Sequence, residues 1–323
     1  MYLEHFGLDR NPFSLTPDPR FLFLTHKHRE ALAALLFAVT ERKGFLVMTG
    51  DAGTGKTTLV RKFLLSIPAA CAQFSVIVNP ALTRSEFLEA ILMDFGVQEI
   101  ASSKAVRLSI FNDLLLRAHT EGKTSVLVID EAHLLTTDLI DEIRLLSNFE
   151  TSEQKLLQIV LVGQPELDAV LNLESMRQVK QRIAIRTHVE PLAAAEVARY
   201  MQSRWKRASA QRPLPFSDDA IELVTRASGG IPRIVNAISD AALLNAYGCT
   251  TAVVGCEQVR EVLRDLQISV PDPPADHSDP SYRECVQIPI RLKTVERYLP
   301  DEPRPPRLMR LANWFRGAET QAR

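Results

Sequence analysis

Short aliphatic runs punctuate the stretch from about residue 26 to 190: Phe45–Met48, Phe74–Val78, Val126–Ile129, Ile159–Val162 and Ile183–Val189. Amphipathic segments lie between them. In Thr83–Phe95, Thr83 and Glu86 are spaced as a capping box and Gly96 follows as a stop. In Leu139–Phe149, Leu139, Ile143 and Leu146 fall on one helical face. Aliphatic strands alternating with helices predict an α/β fold, a parallel sheet covered on both sides.

From about residue 192 to 268 the strand signal stops and helical periods remain. Ser217 followed by Asp218 and Asp219 reads as a cap with first-turn acids, Gly229-Gly230 as a stop, and Pro232 as the first turn of the next helix. Residues 1–24 mix aromatics with proline, with turns at Asn11-Pro12 and Asp18-Pro19. Phe6, Phe13, Phe21 and Phe23 need something to pack against, so the segment is expected to strap across the domain that follows it. After Val270 proline becomes dense, with nine of the nineteen prolines in 271–323. The pattern divides the chain into an arm (1–24), an α/β core (25–191), a helical lid (192–268) and a proline-rich linker with a basic tail (269–323).

The 323 residues are 46% hydrophobic and 24% charged, which is ordinary for a globular chain. Thirty-eight basic residues against thirty-nine acidic ones give a net charge of −1, which argues against coating nucleic acid by bulk charge. Cys71, Cys249, Cys256 and Cys285 contain no C-x-x-C pair, so they read as small buried residues of a protein in a reducing, cytoplasmic compartment. The uncharged run 241–256 carries Asn245, Thr250 and Thr251 and falls short of the ~20 apolar residues of a membrane helix.

Two motifs carry chemistry. Gly50-Asp51-Ala52-Gly53-Thr54-Gly55-Lys56-Thr57, followed by Thr58, fits G-x-x-x-x-G-K-[ST] between an aliphatic strand and a helix. Its glycines let the backbone turn N–H groups onto phosphate oxygens at a helix N-terminus. Lys56 adds a point charge for the β and γ phosphates of ATP, and the Thr57 hydroxyl suits Mg²⁺. The run Val126-Leu127-Val128-Ile129 places Asp130 and Glu131 at the C-terminal end of a buried strand, where ligands of open α/β sheets bind. Asp130 is the second candidate for Mg²⁺, and Glu131 for polarising the water that attacks the γ-phosphate.

These motifs, together with FGLDRNPFSLTPDPRFLF, IDEAHLL, LVGQPEL and GGIPRIVN, resemble the AAA+ ATPases, and among them the ExeA/GspA type that energises bacterial secretion-system assembly. The resemblance spans about residues 1–268. It implies a five-stranded sheet of order 5-1-4-3-2, a helical lid, and assembly into rings or other oligomers that remodel a protein partner. It also assigns Gln164 to the sensor-1 position beside the attacking water, and Arg233 to the sensor-2 position reaching from the lid to the phosphates. For the arginine given to a neighbouring subunit's site the resemblance offers Arg177, Arg182 and Arg186, of which Arg182 fits best. Secretion-type members continue into a membrane span and a periplasmic peptidoglycan-binding module, and neither pattern occurs in these residues.

The remaining features are weaker. His26 and His28 do not share a helix face and read as solvated; His133 reads as a hydrogen-bonding neighbour of the acidic pair. Leu308, Leu311 and Phe315 recur at helical spacing beside arginines, suiting a disordered or packed tail, a partner's groove, or peripheral contact with an anionic membrane. The competing function is ATP-dependent DNA binding, as in related ATPases of transposition modules, with Lys104 and Arg107 or Lys206 and Arg207 as the basic pairs.

Overall fold

The computed structural model describes residues 2–16, 18–208 and 212–270. A short helix α1 (Tyr2–His5) opens the arm, and α2 (His26–Thr40) follows it. The core continues as β1 (Phe45–Thr49), α3 (Lys56–Ser66), β2 (Ala72–Ile77), α4 (Arg84–Asp94), α5 (Lys104–Thr120), β3 (Thr124–Ile129), α6 (Thr137–Leu146), β4 (Leu157–Gly163), α7 (Glu166–Leu171), α8 (Arg177–Lys180) and β5 (Ile183–His188). The lid is α9 (Ala194–Ala208), α10 (Asp218–Ser228), α11 (Pro232–Gly248) and α12 (Cys256–Asp265). The proline-rich tail, its Leu308/Leu311/Phe315 pattern and Cys285 lie outside the described residues.

All pairs in the sheet are parallel, in the order β2-β3-β4-β1-β5, which is the expected order read from the other edge. Successive side chains of a strand leave opposite faces, and both faces are covered. Phe45 and Val47 of β1, Leu127 and Ile129 of β3, and Ile159 and Leu161 of β4 pack with α4, α5 and α6. Their neighbours Leu46 and Met48, Val126 and Val128, and Val160 and Val162 pack with α2 and α3. Burial on two faces is why these strands read as continuous aliphatic runs.

Register then fixes the functional edge. Thr49 lies opposite Gly163, and Ile129 opposite Leu161. Chain leaving β1, β3 and β4 therefore emerges side by side, carrying Gly50, Asp130 and Gln164. Local chemistry sharpens the ends of the helices: the Thr83–Glu86 capping box forms on α4, the Ser217 hydroxyl accepts the Ala220 N–H on α10, and Gly229 closes α10 at φ 55°.

The arm departs from expectation. It reaches the core that follows it through residues 19–21 beside α3, but packs chiefly on the lid: Phe6, Leu8, Phe13 and Phe21 are buried with Val197, Met201, Trp205 and Val224. Phe13 meets Phe216 edge-on at 6.2 Å, and Phe6 meets Trp205 at 6.2 Å. Polar contacts lie along the same surface. Asn11 donates to Asp240 at 2.9 Å, and Arg207 donates to the carbonyls of Arg20 and Leu22 at 2.9 and 2.7 Å. Four small helices alone offer little shared interior, and the arm's aromatics complete their core.

The cysteines also differ from expectation. Cys71 and Cys249 are exposed and Cys256 is half-buried, because each stands at a strand or helix end rather than inside one.

Phe13→Ala is expected to destabilise the protein by about 3 kcal/mol in urea denaturation, since the ring is fully buried. Phe37→Ala, at a ring 53% exposed on α2, should change stability by less than about 0.5 kcal/mol.

Candidate functional site

The loop between β1 and α3 is shaped by what its glycines exclude. A Cβ on Gly50 would sit 2.4 Å from the Val189 carbonyl oxygen, and one on Gly53 would sit 2.7 Å from the Arg233 Cβ. Gly53 and Gly55 also take positive φ, 82° and 99°. The Thr54 hydroxyl donates to the Asp51 carbonyl at 2.8 Å and closes the turn. The loop runs into the first turn of α3, whose free N–H groups and dipole favour an anion.

Lys56 stands at the start of α3 and is 7% exposed, with Nζ donating to the carbonyls of Gly50 at 2.6 Å and Asp51 at 2.8 Å. Burial pushes its pKa down, while Glu131, Asp130, Asp51 and Glu166 pull it up. A desolvated ammonium held on loop carbonyls has unspent capacity for a stronger anion.

Across the cleft, Asp130 leaves the end of β3 and is 3% exposed. Burial raises its carboxyl pKa, opposed by hydrogen bonds from the Thr57 hydroxyl, 2.9 Å away, and the Glu131 N–H. A hydroxyl and a carboxylate side by side are hard oxygen donors, the kind Mg²⁺ prefers. The donor set thus fits the ion expected from sequence, with Thr57 and Asp130 as the residues that would hold it.

Glu131 adopts φ 52°, left-handed for a residue with a side chain, and its carboxyl is 42% exposed. An uncommon backbone conformation next to a buried carboxylate is the kind of local strain found at working sites. His133 lies 3.5 Å from Glu131 Oε2, its Nδ1 accepts the Gln164 N–H at 3.4 Å, and its Nε2 stands 3.0 Å from the Gln164 side-chain amide. His133 is therefore hydrogen-bonded to Gln164 and stands beside Glu131, a closer role than that of a neighbour near the site.

Arg233 follows Pro232 in the first turn of α11, and its N–H donates to the Gly53 carbonyl at 3.3 Å. A cleft of about 360 Å³ collects these groups: Ala52–Thr58, Glu131, Gln164 and Arg233 line it, with Tyr200, Arg204 and Asn236 of the lid. Its last wall is the arm, through residues 14–16, 18 and 21–23, a contribution that sequence reasoning missed. Arg204 secures that wall: its guanidinium donates to the Pro12 carbonyl and the Tyr200 hydroxyl and lies over the Phe21 ring at 4.8 Å. A wider depression of about 580 Å³ at the opposite end of the sheet, lined by Thr40–Arg42 and Glu150–Lys155, contains none of these groups.

Three expectations require correction or qualification. His28, expected to be solvated, is 4% exposed and donates through its ring to the phosphate loop, as developed below; His26 is exposed as expected. The basic pair Lys104 and Arg107 is engaged: Lys104 pairs with buried Glu142 at 2.7 Å, and Arg107 is itself buried on Glu89 and Ser85. Arg207 is committed to arm carbonyls, leaving Lys206 exposed beside it. Among the candidate neighbour-directed arginines, Arg182 donates to the Ser147 hydroxyl at 2.6 Å, Arg186 pairs with Asp168 at 2.9 Å, and Arg177 is exposed; none lines this cleft.

Comparison with known proteins bears on the family and the fold. Residues 39–171 match the family described as an AAA domain. Over 251 residues the chain is 40% identical to general secretion pathway protein A of Aeromonas hydrophila, covering 76% of this chain and 45% of that protein. The chain thus spans less than half the length of this relative. In fold it is similar to the Cdc6p protein of Pyrobaculum aerophilum (TM-score 0.63, 18% identity, 80% of this chain and 71% of that one). It is similar also to the Aeropyrum pernix ORC2 protein in its ADPNP-ADP complexes (TM-score 0.61, 17% identity, 80% and 72%).

Gly53→Ala is expected to weaken nucleotide binding at least about tenfold in a fluorescent-nucleotide titration, because φ 82° and the approach to Arg233 leave no room for a methyl group. Gly122→Ala, at an open surface turn, should leave binding unchanged.

Proposed function

We propose that this AAA+ ATPase, of the type of general secretion pathway protein A, binds Mg²⁺-ATP between core, lid and arm and works as an oligomer that remodels a protein partner in secretion or envelope assembly. The observation that carries the reading is one cleft lined by Lys56 and Thr57 at a helix N-terminus, Glu131, Gln164 and Arg233, with buried Asp130 behind it on the Thr57 hydroxyl.

Each residue's part follows from its position. The backbone N–H groups of Gly53 to Thr57 and the Lys56 ammonium receive the phosphates. Thr57 and Asp130 would hold Mg²⁺, which would supply neutralisation of phosphate charge. Glu131 accepts a hydrogen bond from the attacking water, and Gln164, oriented by His133 beside Glu131, fixes where that water stands. Arg233 brings charge from α11 to the phosphates and draws the lid toward the loop. Transfer to water in this class is mostly positioning and electrostatic stabilisation, so losing one such contact costs turnover more than binding.

A neighbouring subunit supplies the remaining positive charge in this reading. Arg182 fits because it precedes β5 at the far side of the domain from its own cleft, held on Ser147 at the end of α6. Likeness to general secretion pathway protein A supports a partner in secretion. Nucleic acid is less well supported, since Arg107 is buried and Arg207 is bound to the arm. Among the described residues no helix is long and apolar enough to cross a membrane. The need for ATP is what assigns the domain, in this reading, to the cytoplasmic side.

Lys56→Ala should abolish ATP binding in calorimetry, while Glu131→Gln binds ATP and turns over at least about a hundredfold more slowly. If both variants hydrolyse ATP at the wild-type rate, the reading fails. Specific activity should also rise with protein concentration. Arg182→Ala should lower turnover, and mixing it with Glu131→Gln should restore activity, because each supplies what the other lacks; a mixture as inactive as its parts would remove Arg182 from this role.

A further inference from the structure

His28 lies in the first turn of α2, outside the motifs that define the ATP site, yet its ring reaches the phosphate loop. Its Nε2 is 3.1 Å from the Thr54 carbonyl oxygen, and its Nδ1 is 2.7 Å from the Thr25 hydroxyl. These partners determine the tautomer. A carbonyl only accepts, so Nε2 carries the proton. The Thr25 hydroxyl already accepts the His28 N–H at 3.2 Å as the cap of α2, so it donates its own proton to Nδ1. Desolvation by burial holds the imidazole pKa below its ordinary value, opposed by the Thr54 bond and by Glu196, which favours the neutral form this arrangement needs.

The peptide plane joining Thr54 to Gly55 is the plane this bond controls. In a trans peptide the C=O and N–H point in opposite directions, so fixing one fixes the other. Gly55 sits at φ 99°, ψ 12° and has no Cβ. A glycine at this place lets the preceding peptide turn over at little steric cost, as in the interchange of turn types. Local sterics therefore do not decide which way the Gly55 N–H points, and a hydrogen bond from outside the loop does.

We propose that His28 is a positioning residue for ATP binding, whose Nε2–H anchors the Thr54 carbonyl and thereby keeps the Gly55 N–H turned toward the phosphate-binding side of the loop. The inference deepens the ATPase reading and rests on it. It also gives the arm a route to the phosphates. The arm is docked on the lid through Phe21 and Arg204, and it runs through Phe23 and Leu24 directly into Thr25, the residue that orients the ring. Lid, arm, imidazole and phosphate loop are one continuous set of contacts.

Two substitutions separate positioning from packing. His28→Gln keeps an N–H donor at similar reach, and His28→Leu keeps bulk without a donor. With ATP and Mg²⁺, His28→Leu should raise the Kd and KM roughly tenfold, as expected when the unanchored peptide has its Gly55 N–H turned to the phosphates in only about a tenth of the molecules, with kcat within about twofold of wild type. His28→Gln should stay within about twofold of wild type in both. The three proteins should melt at similar temperatures without nucleotide, and only His28→Leu should lose most of the ATP-induced rise. Wild-type affinity in His28→Leu, or equal losses in both variants with a lowered nucleotide-free melting temperature, would overturn the proposal. Wild-type protein that binds no ATP would remove the parent reading as well, and is distinguishable from either result.

Discussion

Lys56 is buried with its ammonium on the carbonyls of Gly50 and Asp51, and Asp130 is buried across from it on the Thr57 hydroxyl. Neither charge is free to stay hydrated, and each is tolerated because backbone and hydroxyl groups replace the lost water. Both positions follow from the sheet. The central strands of the parallel sheet are dry on both faces, so polar chain gathers at the sheet's ends, and these two residues stand at the C-terminal one. The apolar interior thus drives the fold and also delivers two opposite charges to one place, already desolvated, where a phosphate chain and a divalent cation can complete the neutralisation.

The lid is tied to that place through backbone. Leu192 donates to the Gly230 carbonyl at 2.9 Å, and a Cβ on Gly230 would sit 2.0 Å from the Leu192 carbonyl oxygen, so the junction admits only glycine. Three residues on, the Arg233 N–H meets Gly53. Motion of α11 is therefore felt by the phosphate loop without passing through solvent-exposed side chains. The arm adds a second connection on the other side of the cleft through Arg204, Phe21 and His28. The loop between β1 and α3 is thus held from both sides, by α11 through backbone and by the arm through His28.

The phosphate loop, the acidic pair and the five strands were legible because each is a local pattern. The G-x-x-x-x-G-K-T spacing sits between an aliphatic run and a helix, and IDE ends another such run. The arm was half legible: its phenylalanines announced a need for burial but not where. His28 was misread because a neighbouring pair of histidines invites comparison only along its own helix, whereas the groups that bury it are Thr25 and Thr54. Lys104 and Arg107 looked like a free basic patch because their acids, Glu142 and Glu89, stand on other helices.

The linear order of residues by itself determined which segments are strands, which are helices, and which short motifs stand at the strand ends, since periodicity and short spacings are properties of contiguous chain. Only the folded arrangement decided that the arm belongs to the lid, that it walls the cleft, and that an imidazole on α2 holds the loop. Burial and hydrogen-bond partnership are set by contacts between residues far apart in the chain. Arg204 and Pro12 are joined across 192 residues of chain, and no pattern near either one specifies the other.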